Sequence, residues 1–167
     1  MKSRRVLVTV MLLALVAVTT VAATANNLTH KATGFTFWVP DDWTTSESDG
    51  NLLAKDTNSN IAIAFMVPQA KDADGAVNEL EAALKENYDD IKVEAGKETK
   101  INGLDAYVTN GVGTYKKSGQ QQGFLIGFYT DNKGKYLTAF AAFTDQTKDE
   151  AMNTVVKILK SVSMQGS

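Results

Sequence analysis

Between two stretches of alternating apolar and polar residues stands Asn102-Gly103, a pair whose backbones both accept positive φ. Such a pair ties its flanks into a hairpin through a type I′ turn. Residues 91–101 run in as one strand and residues 104–115 run back. Leu104, Ala106 and Val108 fall on one side of the return strand; Asp105, Tyr107 and Thr109 fall on the other. A second tight turn, Asp131-Asn132-Lys133-Gly134, joins strands expected over 124–130 and 135–143, and the polar residues 116–122 loop between the two hairpins. Strands joined by turns this short are antiparallel.

The first half has the same grammar. Phe35, Phe37 and Val39 alternate with Thr36 and Trp38, so residues 35–39 read as a strand that Pro40 ends. Asp41-Asp42 then turns the chain toward Trp43. Residues 46–51 read as a polar loop, 52–55 as a short strand and 56–60 as a turn; 61–67 is apolar nearly throughout, as in a strand buried on both faces. The period then changes. Ala73, Ala76, Leu80, Leu84 and Tyr88 recur every three or four positions, a helix capped near Asp72 or Asp74. A final helix carries Met152, Val155, Val156, Leu159 and Val162 as its stripe, with Thr147 and Glu150 as a capping box. Two amphipathic helices need a sheet to lie on. The fold class is α+β: a central antiparallel sheet of about six to seven strands with two helices packed on it.

Export is written at the start. Lys2, Arg4 and Arg5 precede an uncharged apolar run over 6–22, and Ala23-Thr24-Ala25 offers the small-x-small site of a signal peptidase. The run falls short of the roughly 20 residues of a spanning helix, so residues 1–25 are expected to be cleaved rather than kept as an anchor. Ser3-Arg4-Arg5 also begins a twin-arginine pattern, but no lysine follows it, which favours the ordinary secretory route. Residues 26–33 read as a flexible lead-in, 34–163 as one domain and 164–167 as a tail. Without Lys2, Arg4 and Arg5, 14 basic residues face 19 acidic ones, a formal charge of −5. That is a poor footprint for nucleic acid. The chain has no cysteine, which removes thiol catalysis, disulfides, thiolate metal sites and a lipoprotein anchor. A periplasmic or secreted domain follows, with no membrane span after signal cleavage.

Candidate chemistry is sparse. His30 is the only histidine and falls in the lead-in, where a solvated role is expected. Asp56-Thr57-Asn58-Ser59-Asn60 starts like a calcium loop, yet Ile61 and Val67 stand where glycine and glutamate belong, so a plain turn is expected. Asp41 and Asp42, with Glu47 and Asp49 nearby, are carboxylates beside Trp43, a pairing found in glycosidases. Adjacent turn residues point apart, and a solvated acidic loop is the simpler reading. Asn27-Leu28-Thr29 fits a glycosylation acceptor, relevant only to a eukaryotic secretory pathway. Trp38 lies opposite Phe35 and Phe37 and is either packed under a helix or presented to a partner; with Trp43 it forms the candidate binding pair. Gly111, Gly113, Gly123 and Gly127 thin two neighbouring strands, leaving room for a groove or for strand curvature. No catalytic residue, cofactor site or metal site is assigned.

The stretch Gly34-Phe35-Thr36-Phe37-Trp38-Val39-Pro40-Asp41-Asp42-Trp43, the Ile101-Asn102-Gly103-Leu104 hairpin and the closing helix resemble the PsbP/Mog-like family. The likeness extends over most of residues 33–163. It implies an α/β/α sandwich and an accessory, binding or scaffold role rather than an enzymatic one. Known members serve at the lumenal face of photosystem II, as a partner of the Ran GTPase, and as bacterial envelope proteins. The export signal fits the DcrB-like envelope branch, although the lipoprotein cysteine of several of its members is missing here. The expected function is thus an exported, non-catalytic domain that contacts a protein or envelope component. A small-ligand carrier with a cleft between sheet and helices, and a hydrolase using the Asp41/Asp42 loop, are the alternatives.

Overall fold

The computed structural model describes residues 27–144 and 148–165. The expected signal segment and Thr147 of the expected capping box lie outside the described residues. In chain order the elements are β1 (Asn27–Thr29), β2 (Phe35–Trp38), β3 (Thr44–Ser48), β4 (Asn51–Lys55), β5 (Ile61–Met66), α1 (Ala73–Leu84), β6 (Tyr88–Val93), β7 (Lys97–Ile101), β8 (Leu104–Tyr115), β9 (Gln120–Thr130), β10 (Tyr136–Thr144), α2 (Lys148–Ser161) and β11 (Ser163–Met164).

Every pairing is antiparallel, and among the described residues the strands form two sheets. The large one has eight strands in the order β3-β4-β5-β10-β9-β8, with β6 and β7 end to end along the outer side of β8. The small one is β1-β2-β11. Asn102 and Gly103 both have positive φ, as the hairpin requires. Asn102 also donates from Nδ2 to the carbonyls of Lys160 and Val162, each at 2.9 Å, and so closes the end of α2.

Two cores lie on the two faces of the large sheet. On one, α2 and the small sheet bury Ala151, Val155, Ile158, Leu159 and Val162 together with Phe35 and Phe37. Phe37 stacks on Phe65 with ring centroids 3.6 Å apart, and the Tyr129 hydroxyl donates to the Leu159 carbonyl at 3.0 Å. On the other face, α1 sets Leu80 and Leu84 over Phe124, Ile126, Phe140 and Ala142. Asp72 caps α1, its carboxylate accepting the Gly75 N–H at 2.7 Å. This is an α+β sandwich of the expected class.

Several local expectations change. The strand over 35–39 belongs to the small sheet rather than the central one, and the large sheet alone exceeds six to seven strands. Residues 27–29, expected in a flexible lead-in, pair with β2, and Met164 of the expected tail pairs with Phe35. Residues 46–51 are mostly β3 and its turn rather than a loop. Asp49 and Gly50 have the same positive φ pair as Asn102-Gly103, but polar flanks on an edge strand conceal it. The strand over 91–101 divides into β6 and β7 around residues 94–96, with a bulge between Asp89 and Lys92. Tyr88 opens β6 instead of closing α1. In β5, Ile61, Ile63 and Phe65 are buried while Ala62, Ala64 and Met66 are half-buried, so one face dominates. The buried stripe of α2 is turned slightly, with Ala151 and Ile158 inside and Met152 and Val156 half-buried.

Candidate functional site

The second core stops short of β7. Beyond the first turn of α1, the sheet opens into a cleft of about 550 Å³. Its position follows from register. Glu98 on β7 stands opposite Tyr107 on β8, which stands opposite Phe128 on β9; one row over, Lys100, Asp105 and Thr130 align in the same way. Directly paired residues share a face, so both rows present their side chains toward α1. Lys71, Asp72 and Ala73, at the start of that helix, form the opposite wall.

Aromatic surface makes the floor. Phe128 is buried and lies 5.9 Å, centroid to centroid, from Tyr136. Tyr107 is half-buried, and its hydroxyl accepts the Gly96 N–H at 2.9 Å. The ring lies so close over Gly96 that a Cβ there would meet Tyr107 Cζ at 2.1 Å. Gly96 therefore sets the ring down on the sheet. Charged groups make the rim. The Asp105 carboxylate is held by Lys100 and by Asn132 Nδ2, and the Lys100 hydrogen bond above all keeps it below the usual carboxylate value. The Lys71 ammonium sits 4.9 Å over the Tyr136 ring. With Lys71 and Lys100 set against Asp72, Glu98 and Asp105, the rim carries both signs. Stacking, apolar contact and mixed-charge hydrogen bonding are what it offers. Glu79 braces the wall by accepting the N–H groups of Gln69 and Ala70 at 3.0 and 2.7 Å.

The candidate tryptophans lie elsewhere. Trp38 and Trp43 are half-buried against the first core, on the side of α2 and the small sheet. Lys157 of α2 places its ammonium 4.5 Å from the Trp38 ring, and the Trp38 N–H donates to Ser161 Oγ at 2.8 Å. Packing beside a helix accounts for much of Trp38. The acidic loop is also structural in part. Thr57 Oγ1 donates to the Asp42 carbonyl at 3.1 Å and its carboxylate at 3.3 Å, which ties one turn to the next. Asp56 accepts the Ile61 N–H at 2.9 Å and so organises its own turn. The strand glycines are filled: a Cβ at Gly123 would meet Phe143 at 2.5 Å, and one at Gly111 would meet the Lys92 carbonyl at 2.5 Å. They admit neighbouring rings and a bulged strand, not a groove.

His30 is the largest departure from expectation. It is 1% exposed rather than solvated. Its N–H donates to the Phe35 carbonyl at 2.8 Å, and its carbonyl receives the N–H groups of Thr33 and Gly34, which folds residues 30–34 into the β1–β2 turn. The ring Nδ1 is 2.8 Å from Thr33 Oγ1, and Nε2 is buried with no hydrogen-bond partner among the described residues. Desolvation pushes the ring below its ordinary value, against the opposing pull of the Gly50 carbonyl, Glu47 and the Phe65 carbonyl. The pairing of β1, a three-residue strand with no periodicity to reveal it, together with the β3–β4 hairpin brings His30 inside. Sequence reasoning offered a cleft between sheet and helices as an alternative but did not name its residues. The alternation of Asp105, Tyr107 and Thr109 marks the face, but where α1 stops covering it depends on tertiary structure.

No family model matches the sequence, and no curated protein matches it either. Solved structures do match the fold. The solution structure of cyanobacterial PsbP (CyanoP) from Synechocystis sp. PCC 6803 superposes with a TM-score of 0.62 at 10% identity, over 91% of this chain and 98% of that one. The Ran-binding protein Mog1p of Saccharomyces cerevisiae gives 0.59 at 8% identity, over 83% and 94%. LpqN of Mycobacterium tuberculosis, described as involved in cell envelope biogenesis, gives 0.49 at 14% identity, over 83% and 88%. Element order, register and the first two of these superpositions agree on the architecture.

Proposed function

We propose that this PsbP/Mog-like domain is an exported, non-catalytic accessory module of the bacterial envelope, periplasmic or secreted, which holds a protein or envelope component in the cleft between α1 and β7–β9. The observation that carries the reading is the cleft's aromatic floor, Tyr107 and Phe128, beneath a rim of both charges. Recessed aromatics bounded by polar groups are what a specific contact uses. The remaining surface supports it: Val67 is the large apolar residue exposed among the described residues, so no broad apolar patch is built there. The fold itself serves protein binding in Mog1p, a Ran-binding protein. Among the described residues, no helix is long and apolar enough to cross a membrane. Trp38 and Trp43 are proposed as a second, smaller contact on the opposite side.

A carrier of a small molecule is the second reading, favoured by one observation. About 550 Å³ falls within the range of small-molecule sites. Thermal-shift screening against small metabolites, beside affinity capture from envelope extracts, separates the two. We expect a captured partner that is lost on Tyr107→Ala and retained on Asp41→Asn/Asp42→Asn. A metabolite that raises the melting temperature through Tyr107, with no captured partner, makes the protein a carrier. Turnover lost on Asp41→Asn/Asp42→Asn would overturn both readings in favour of the hydrolase.

A further inference from the structure

We propose that the His30 corner is a built-in acid latch: protonation of the chain's one histidine, sealed between the β1–β2 turn and the β3–β4 hairpin, releases that corner while the two cores stay folded.

The latch is a set of contacts made in one place. Thr33 Oγ1 is 3.4 Å from the Phe35 N–H, which it accepts, and 2.8 Å from His30 Nδ1. The Thr33 hydroxyl can serve either tautomer of the ring, as donor to Nδ1 or as acceptor from it. Burial is what opposes protonation, because it leaves a full charge in a site that is 1% exposed, with Nε2 lacking a partner among the described residues. Room to yield is already present, since a cavity of about 200 Å³ lies between His30, Lys31 and Ala32 and the hairpin residues 47–52. That volume admits the water an imidazolium needs. Opening the corner uncovers the β1 edge and the inner side of the hairpin.

The charged groups around the ring set the direction. Glu47 on β3 and the carbonyls of Gly50 and Phe65 favour the protonated ring, but burial outweighs them. Lys31 binds Glu47 at 2.7 Å and so occupies the carboxylate nearest in effect. Asp49, in the β3–β4 turn, is exposed and accepts its neighbour Ser48's hydroxyl at 3.2 Å. A ring held below 6.5 when closed binds its proton more readily when open. The closed corner is therefore fully stable above about pH 6.5 and loses stability as pH falls below it.

The single histidine makes the test direct. The chain purified from its full-length gene is followed by NMR, reading the His30 ring signals and backbone amide exchange between pH 7.5 and 5. The expected result is a ring titrating below 6.5. Exchange protection at residues 28–35 and 48–52, corrected for intrinsic rates, falls by up to roughly tenfold per pH unit below that point while β9 and β10 keep theirs. His30→Gln flattens this slope; should that variant not fold, Thr33→Val, which removes the Nδ1 partner, shifts the ring titration instead. A wild-type ring titrating at or above 6.5, protection independent of pH, or loss of β9 and β10 in step with the corner overturns the latch.

Discussion

The two faces of the large sheet are finished differently. One is covered by α2 and by a second sheet, and twenty-one buried apolar residues meet there among those described. The other is covered by α1, with seven. The second sheet explains the asymmetry. The 12 residues of α1 and the 14 of α2 span about 18 and 21 Å, against roughly 29 Å for a sheet seven strands wide, and α2 alone has β1, β2 and β11 beside it. The helix lies over β6 and β9 near Tyr88, Phe124 and Phe140, and the corner at Tyr107 and Phe128 is left open. The lesson is a division of labour: one face is closed by a helix and a second sheet, and the other, in the proposed reading, trades coverage for a place to bind.

That division is breakable. Truncation on the covered face is expected to hurt most, because Phe37 stacks on Phe65 and supports both sheets. Phe37→Ala should cost about 3–5 kcal/mol, measured by urea denaturation, against about 2–3 for Leu84→Ala under α1. If Leu84→Ala proves the costlier, the account of the two faces is wrong. Gly96→Ala sharpens the contrast. The added methyl displaces the Tyr107 ring at a cost of about 1–3 kcal/mol and should abolish cleft binding out of proportion to that loss. Asn102→Gly keeps the hairpin's positive φ but removes two donors from the end of α2, with an expected cost of about 1–2 kcal/mol. Lys31→Ala breaks an exposed ion pair and should lower the unfolding free energy by no more than about 0.5 kcal/mol.

Much of this architecture was legible because its turns have distinctive chemistry. Asn102-Gly103 and Asp131–Gly134 announce two hairpins, and the stripe on α2 announces a helix needing a sheet. The concealed parts share a cause. β3 is Thr-Thr-Ser-Glu-Ser, and an edge strand buried on neither face has no alternation to read. β1 is too short for a period, so the burial of His30, which depends on it, leaves no trace in the local sequence. Alternation alone sets Trp38 opposite Phe35 and Phe37, yet its neighbours Lys157 and Ser161 come only from the return of α2. The cleft is hidden most completely: its residues come from four elements, and its existence depends on the reach of a helix.

Paired site-specific photocrosslinking in living cells tests the central claim most directly. A photoreactive residue replaces Glu98 at the cleft rim in one variant and Asn153 on the exposed side of α2 in another. The account predicts a discrete adduct from position 98 that Tyr107→Ala abolishes, and none from position 153. Adducts from position 153 with none from position 98 would place the working surface on the covered face and contradict it.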